Sequence, residues 1–133
     1  MRDNEHLSYE NFIKEEGHKL VLRPLSDLTK EIEHKGEAFV PIVELAKIAF
    51  TNSRYSFKLS DGVDKFVWID DGDWNNFQFY FDGVNFHYDG YGRFIPNQLH
   101  LFQKLIEWHF DLAYLVSKGE AIDVNTLETN PYK

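Results

Sequence analysis

The chain has six histidines, a dense set of aspartates and no cysteine, so imidazoles and carboxylates are the groups with which it could do chemistry. His109 is the odd one. On a helix running from residue 96 to 118, at about 100° per residue, it falls about 180° from His100, in the centre of an apolar sector. A buried imidazole needs hydrogen-bond partners. It is then a satisfied core group bonded to a tyrosine or backbone carbonyl, a ligand or acid–base group in an internal pocket, or a pH switch. His100, Glu107 and Asp111 share the opposite face, and one histidine with two carboxylates begins a metal site. Lys104 stands among them and opposes a cation, which favours a solvated polar stripe. Asp71, Asp73, Asn75 and Asp82 occupy the first, third, fifth and twelfth positions of a calcium loop. The sixth is Asn76 rather than glycine, and Phe77–Phe81 alternates like a strand, which excludes a standard EF-hand.

Nucleophilic chemistry has little to work with. Ser26, Ser53, Ser56, Ser60 and Ser117 lie in no Gly-x-Ser-x-Gly elbow, and Asp89-Gly90-Tyr91-Gly92 is too short to cradle phosphates. The lack of cysteine excludes disulfides, thiolate metal sites and cysteine catalysis. The expectation is a non-enzyme without catalytic residues, metal or cofactor.

Two constellations suit recognition. Between Ser60 and Gly90 lie Asp61, Asp64, Asp70, Asp71, Asp73, Asp82 and Asp89, against Lys65 alone. Aspartate beside glycine is a turn former; the alternative is an acidic rim that meets a cationic partner. Gln78, Tyr80, Asn85 and His87 share the polar face of a hairpin, with Trp68, Trp74 and Tyr91 as aromatic anchors near its ends. The candidate partner-binding residues are therefore Asp61, Asp64, Asp70, Asp71, Asp73, Trp74, Gln78, Tyr80, Asn85, His87 and Tyr91. His109 is a separate, buried polar candidate.

The elements that must position these residues follow from periodicity. Phe77–Tyr88 reads as a hairpin with Asp82-Gly83 as a two-residue type I′ turn, which sets Phe81 opposite Val84, Phe79 opposite Phe86 and Phe77 opposite Tyr88. Tyr55, Phe57 and Leu59 alternate with polar residues, and Phe66–Ile69 is apolar on both faces, as in a central or doubly covered strand. Asp70–Trp74 is a turn. Residues 8–16 suggest a short helix between Ser8 and Gly17, 19–23 a strand, and 27–34 a helical segment capped by Ser26 and stopped by Gly36. Residues 37–40 are extended before Pro41, which opens a helix with Ile42, Leu45, Ala46 and Ala49 inward and Ile48 at the edge. Pro96 opens the long helix, which ends before Gly119. Its apolar sector covers more than half the circumference, so it packs between two layers or shares its second face with a partner subunit. The tail is a short extended piece followed by loose chain.

The predicted fold is α+β and one domain over 1–133. A helical part covers about 1–52. An antiparallel meander of about four strands, about 54–90, packs against the C-terminal helix, about 96–118, and the shorter N-terminal helices.

The chain's 133 residues, 43% hydrophobic and 17% aromatic, suffice for one core. A net charge of -8 opposes direct nucleic-acid binding and suits a partner with a basic surface. No apolar run approaches the roughly 20 residues of a membrane helix, and the N-terminus is too polar for a secretory signal, so cytoplasm is the expected compartment.

Leu25–Glu33 (LSDLTKEIE), Gly36–Ile42, Glu107–Asp111 (EWHFD) and Gly119–Leu127 form a pattern over 22–47 and 98–127. It resembles small uncharacterised proteins of Bacteroidota phages and prophages. The resemblance leaves out the intervening β region and implies a context, a mobile-element protein acting inside a bacterial cell, rather than any residue's role. Three readings follow. One is a non-enzymatic module that binds a basic host protein, such as an inhibitor of a nucleic-acid-guided defence nuclease (anti-CRISPR-like). The second is a phage assembly protein that forms a homodimer through the 96–118 helix. The third is a small-ligand protein or enzyme centred on His109.

Overall fold

Period-two alternation governs the middle of the chain, and in the computed structural model it becomes a five-stranded antiparallel sheet. The structure describes residues 15–16, 19–63, 65–73, 75–88, 93–94 and 97–133. The elements, in chain order, begin with β1 (Glu15–Glu16), β2 (Lys19–Leu22), a 3-10 turn (Leu25–Thr29), β3 (Ile32–His34), β4 (Glu37–Phe39) and α1 (Pro41–Ala49). They continue with β5 (Ser56–Leu59), β6 (Val67–Asp70), β7 (Asn76–Phe81), β8 (Phe86–Tyr88), β9 (Arg93–Phe94), α2 (Gln98–Glu107), β10 (Ala121–Asp123) and a 3-10 turn (Val124–Thr126). The chain forms two compact units. One holds the described residues up to Leu25, with Glu33–Glu37 and Leu105–Lys133; the other holds Ser26–Ile32 and Ala38–Lys104.

The expected architecture is corrected here. The fold is α+β, but mostly strands in three small sheets with short helices, not a four-stranded meander on a long helix. Helix α2 stops at Glu107 because His109 adopts a left-handed φ of 65°. His109 N–H donates to Ile106 O and Phe110 N–H to Leu105 O, the paired bonds of a Schellman cap with histidine where glycine is usual. The same bond pattern recurs at Gly119, where it closes one turn over 115–118 rather than a long helix. The continuous 96–118 helix whose broad apolar face is expected to pair two copies is therefore not formed.

Other expectations shift locally. The short helix over 8–16 falls largely outside the described residues, and Glu15–Glu16 at its end is a strand. Segment 27–34 is helical only to Thr29 and then extended in β3. β3 and β4 turn through Lys35 (φ 52°) and Gly36 (φ 84°), the two positive φ values of a type I′ hairpin. The expected I′ turn at Asp82-Gly83 is instead a four-residue loop, 82–85. Phe81 faces Phe86 and Phe79 faces Tyr88. The loop is wider because the Asp82 carboxylate takes the N–H groups of Val84 and Asn85, both at 2.8 Å, as a substitute carbonyl. The slip is of two residues, so no side chain in the strands changes face.

The sheet unit buries its core on one face. Val67, Ile69, Phe79 and Phe86 are sealed there, as are Ile42, Leu45 and Ala46 of α1 and Leu101 of α2. Phe50, just past α1, meets Phe77, Phe79 and Tyr88 edge-on at 5.1, 6.2 and 5.5 Å, while Phe102 of α2 meets Phe81 and Phe86. Gln98 opens α2 and pairs its side-chain amide with the backbone N–H and C=O of Phe86, as a neighbouring strand would.

In the other unit β2 lies between β1 and the parallel β10, and Arg23 bridges to Phe110 just beyond it. The tail, expected to be loose, is held. Tyr132 is buried, and its hydroxyl donates to Val21 O.

Candidate functional site

The sheet's outer face gathers part of the expected recognition set. Register aligns Lys58, Trp68 and Gln78 across β5, β6 and β7, and Ser56, Asp70 and Asn76 beside them. Tyr80 and His87 lie opposite each other on β7 and β8. Of the two readings of Phe66–Ile69, the central strand is the one formed, since β6 lies between β5 and β7; it is not covered on both faces, because Val67 and Ile69 are buried but Trp68 between them is 38% exposed. Phe66 braces Trp68 edge-on at 5.0 Å. The Tyr80 and His87 rings stack at 5.2 Å. His87 Nε2 lies 2.5 Å from Asp82 Oδ2, so His87 sits nearly buried on the polar face while Gln78 and Tyr80 are half-buried. Asn85 lies in the 82–85 loop rather than on a strand.

The described aspartates do not form one rim. In a meander, alternate turns emerge at opposite ends. The β5–β6 and β7–β8 loops, with Asp61 and Asp82, are at one end; the β6–β7 loop, with Asp71 and Asp73 after Asp70, is at the other. The six residues of β7 separate the ends by roughly 20 Å. That separation also rules out the calcium-loop reading, since Asp82 is remote from Asp71, Asp73 and Asn75. Asp71 accepts from the N–H groups of Asp73 and Asn75, and Arg54 pairs with the Asp73 carboxylate. The Asp73 N–H is the largest of the influences that hold the Asp71 carboxyl below the usual carboxylate range. The Asn85 N–H does the same for Asp82, helped by Val84 and His87. Asp64, Trp74 and Tyr91 lie outside the described residues.

The second candidate, His109, belongs to a buried cluster that local sequence patterns do not reveal. Its ring stacks on Tyr132 at 4.0 Å and lies 5.6 Å from the ring of His34. Arg23, 2% exposed, donates through Nε to Trp108 O and through Nη2 to Glu33 O, both at 2.9 Å. Its guanidinium also sits over the Tyr132 ring at 5.5 Å. The His100, Glu107, Asp111 stripe is dispersed. Asp111 is past the end of α2, buried, and accepts from the N–H groups of Leu115 and Val116. Among the described residues no group of three histidines or carboxylates is placed to hold a metal. No helix among them is long and apolar enough to cross a membrane.

No family model matches this chain, and no curated protein and no solved structure matches it either.

Proposed function

We propose that this chain is a non-enzymatic protein-binding module that docks through the outer face of its five-stranded sheet. Exposed Trp68 carries the reading. It is a large aromatic held by Phe66, with Lys58 and Gln78 in register on either side, and that mixture of aromatic anchor and polar surround suits a binding hot spot. The net charge of -8 favours a partner with a basic surface. The resemblance to phage and prophage proteins supports a partner inside a bacterial host, and a nucleic-acid-targeting defence protein is one partner of that chemistry. Asp61 and Asp82 at one end of the sheet and Asp70 and Asp71 at the other would frame the contact rather than form it. The test is capture from a Bacteroidota lysate by wild type and by Trp68→Ala. A basic protein retained by wild type, lost from the variant and weakened by salt supports the reading. Identical capture by both removes this face from the function.

A further inference from the structure

In the unit that contains Arg23, we infer that neutral His34 is an acid-sensitive catch for the C-terminal arm, residues 127–133. The inference is independent of the docking face.

Arg23 Nη2 lies 3.3 Å from His34 Nδ1. A guanidinium has donors only, so Nδ1 must present its lone pair, and His34 is a neutral imidazole protonated on Nε2. Both residues are buried. A proton on Nδ1 would abolish this bond and set an imidazolium against a permanent cation.

The same small cluster holds the arm. Lys35, next to His34, donates its N–H to Tyr132 O at 2.8 Å, and Asn130 Nδ2 donates to Glu33 O at 3.1 Å. Glu33 O is also an acceptor of Arg23. Tyr132 is fixed by its bond to Val21 O and by its stack on His109, and it packs with Val21 and Val124, joined by Leu127. Displacing Arg23 from the β3–β4 turn therefore disturbs the backbone groups that grip the tail.

The titratable and charged groups around His34 among the described residues come from several elements. Arg23 comes from the end of β2, and His109, a second imidazole, from the cap of α2. Tyr132 comes from the arm, its hydroxyl committed to Val21 O. The buried carboxylate of Asp111, whose N–H binds Arg23 O, is committed to the N–H groups of Leu115 and Val116. Glu33 and Lys35, the chain neighbours, are exposed. The Arg23 bond needs an unprotonated Nδ1, so the hold is complete where the imidazole is neutral and weakens as pH falls through and below the ordinary imidazole range.

Hydrogen exchange at about pH 7.5 and about pH 5, corrected for intrinsic rates, tests the catch. The expected result is loss of protection at the Lys35 and Tyr132 amides by about tenfold or more on acidification, while amides of β7 keep theirs. His34→Asn places an acceptor oxygen near the Nδ1 position and does not titrate, so it should keep the arm protected at both values. Equal protection of the wild type at both pH values overturns the inference, and so does release of the variant in step with the wild type. If the variant does not fold, nitrogen NMR of the wild-type imidazoles decides. Nδ1 of His34 unprotonated at neutral pH, and protonated as the arm is released, supports the catch. A protonated Nδ1 in the held state overturns it.

Discussion

The two compact units close their interiors by different means. The sheet unit relies on shape. Phe50, Phe77, Phe79, Phe86 and Phe102 meet edge-on or stacked, and Phe79 and Phe86 are sealed from solvent. The other unit relies on named polar bonds. Arg23, His34, His109 and Asp111 are buried, and Arg23 ties together backbone groups distant in sequence. An aromatic core tolerates modest change of side chain if volume is kept, whereas a buried polar cluster fails when one member leaves an acceptor stranded. The same difference separates the two candidate sites. The sheet presents an aromatic to solvent, while the imidazoles of His34 and His109 in the other unit are buried.

Phe79→Ala tests the first half of that contrast and should have the largest effect. A sealed aromatic is removed, and chemical denaturation should show a loss of about 3–5 kcal/mol. Arg23→Met tests the second half. It removes the Arg23 donors to Trp108 O and His34 Nδ1 and one of the two donors to Glu33 O, and should cost about 2–4 kcal/mol by the same measurement, with Arg23→Lys failing to restore the planar set of bonds. A cost for Arg23→Met no larger than that of a surface change would collapse the contrast. Gln98→Ala should cost about 1–2 kcal/mol, since Phe86 loses partners for both backbone groups. Trp68→Ala should cost about 1 kcal/mol or less, because its cross-strand contacts are half-exposed, so its effect should appear in binding.

The smallest effect is at the 82–85 loop. The Asp82 carboxyl is depressed in the folded chain, so its contribution is present above the unfolded carboxylate range and is lost as pH falls through the folded value. Asp82→Asn should lower the neutral-pH midpoint slightly, flatten that component of acid unfolding and converge with wild type below about pH 4. An unchanged acid limb would mean that the loop does not depend on the charge.

Parity was the legible part. Alternation over Phe77–Tyr88 assigns each strand side chain to its face, and a two-residue slip preserves the assignment although the loop is four residues rather than two. The start of α1 was legible because Pro41 suits a first helical position, and Ile42, Leu45 and Ala46 are the residues it buries. The end of α2 was not. Apolar residues continue past Glu107, and nothing in the local pattern marks His109 as the left-handed cap. Lys35-Gly36 is likewise a weak turn signal beside Asp82-Gly83, yet it forms the two-residue hairpin. Of the candidate sites, the outer-face positions of Gln78 and Tyr80 followed from parity. The split of the aspartates between opposite ends follows from the order of turns once the meander is drawn. The buried cluster could not be read, because Arg23, His34, His109 and Tyr132 are brought together by long-range pairing.

The most direct test of the docking reading is one titration series. Wild type and Trp68→Ala, each shown to be folded by its unfolding midpoint, are titrated at low and high salt with the basic protein that wild type captures from lysate. The prediction is tight, salt-weakened binding by wild type and at least about a tenfold loss on removing the indole, with folding retained. Equal affinity of the two proteins, or affinity indifferent to salt, would contradict it and move the search for the partner surface away from this face of the sheet.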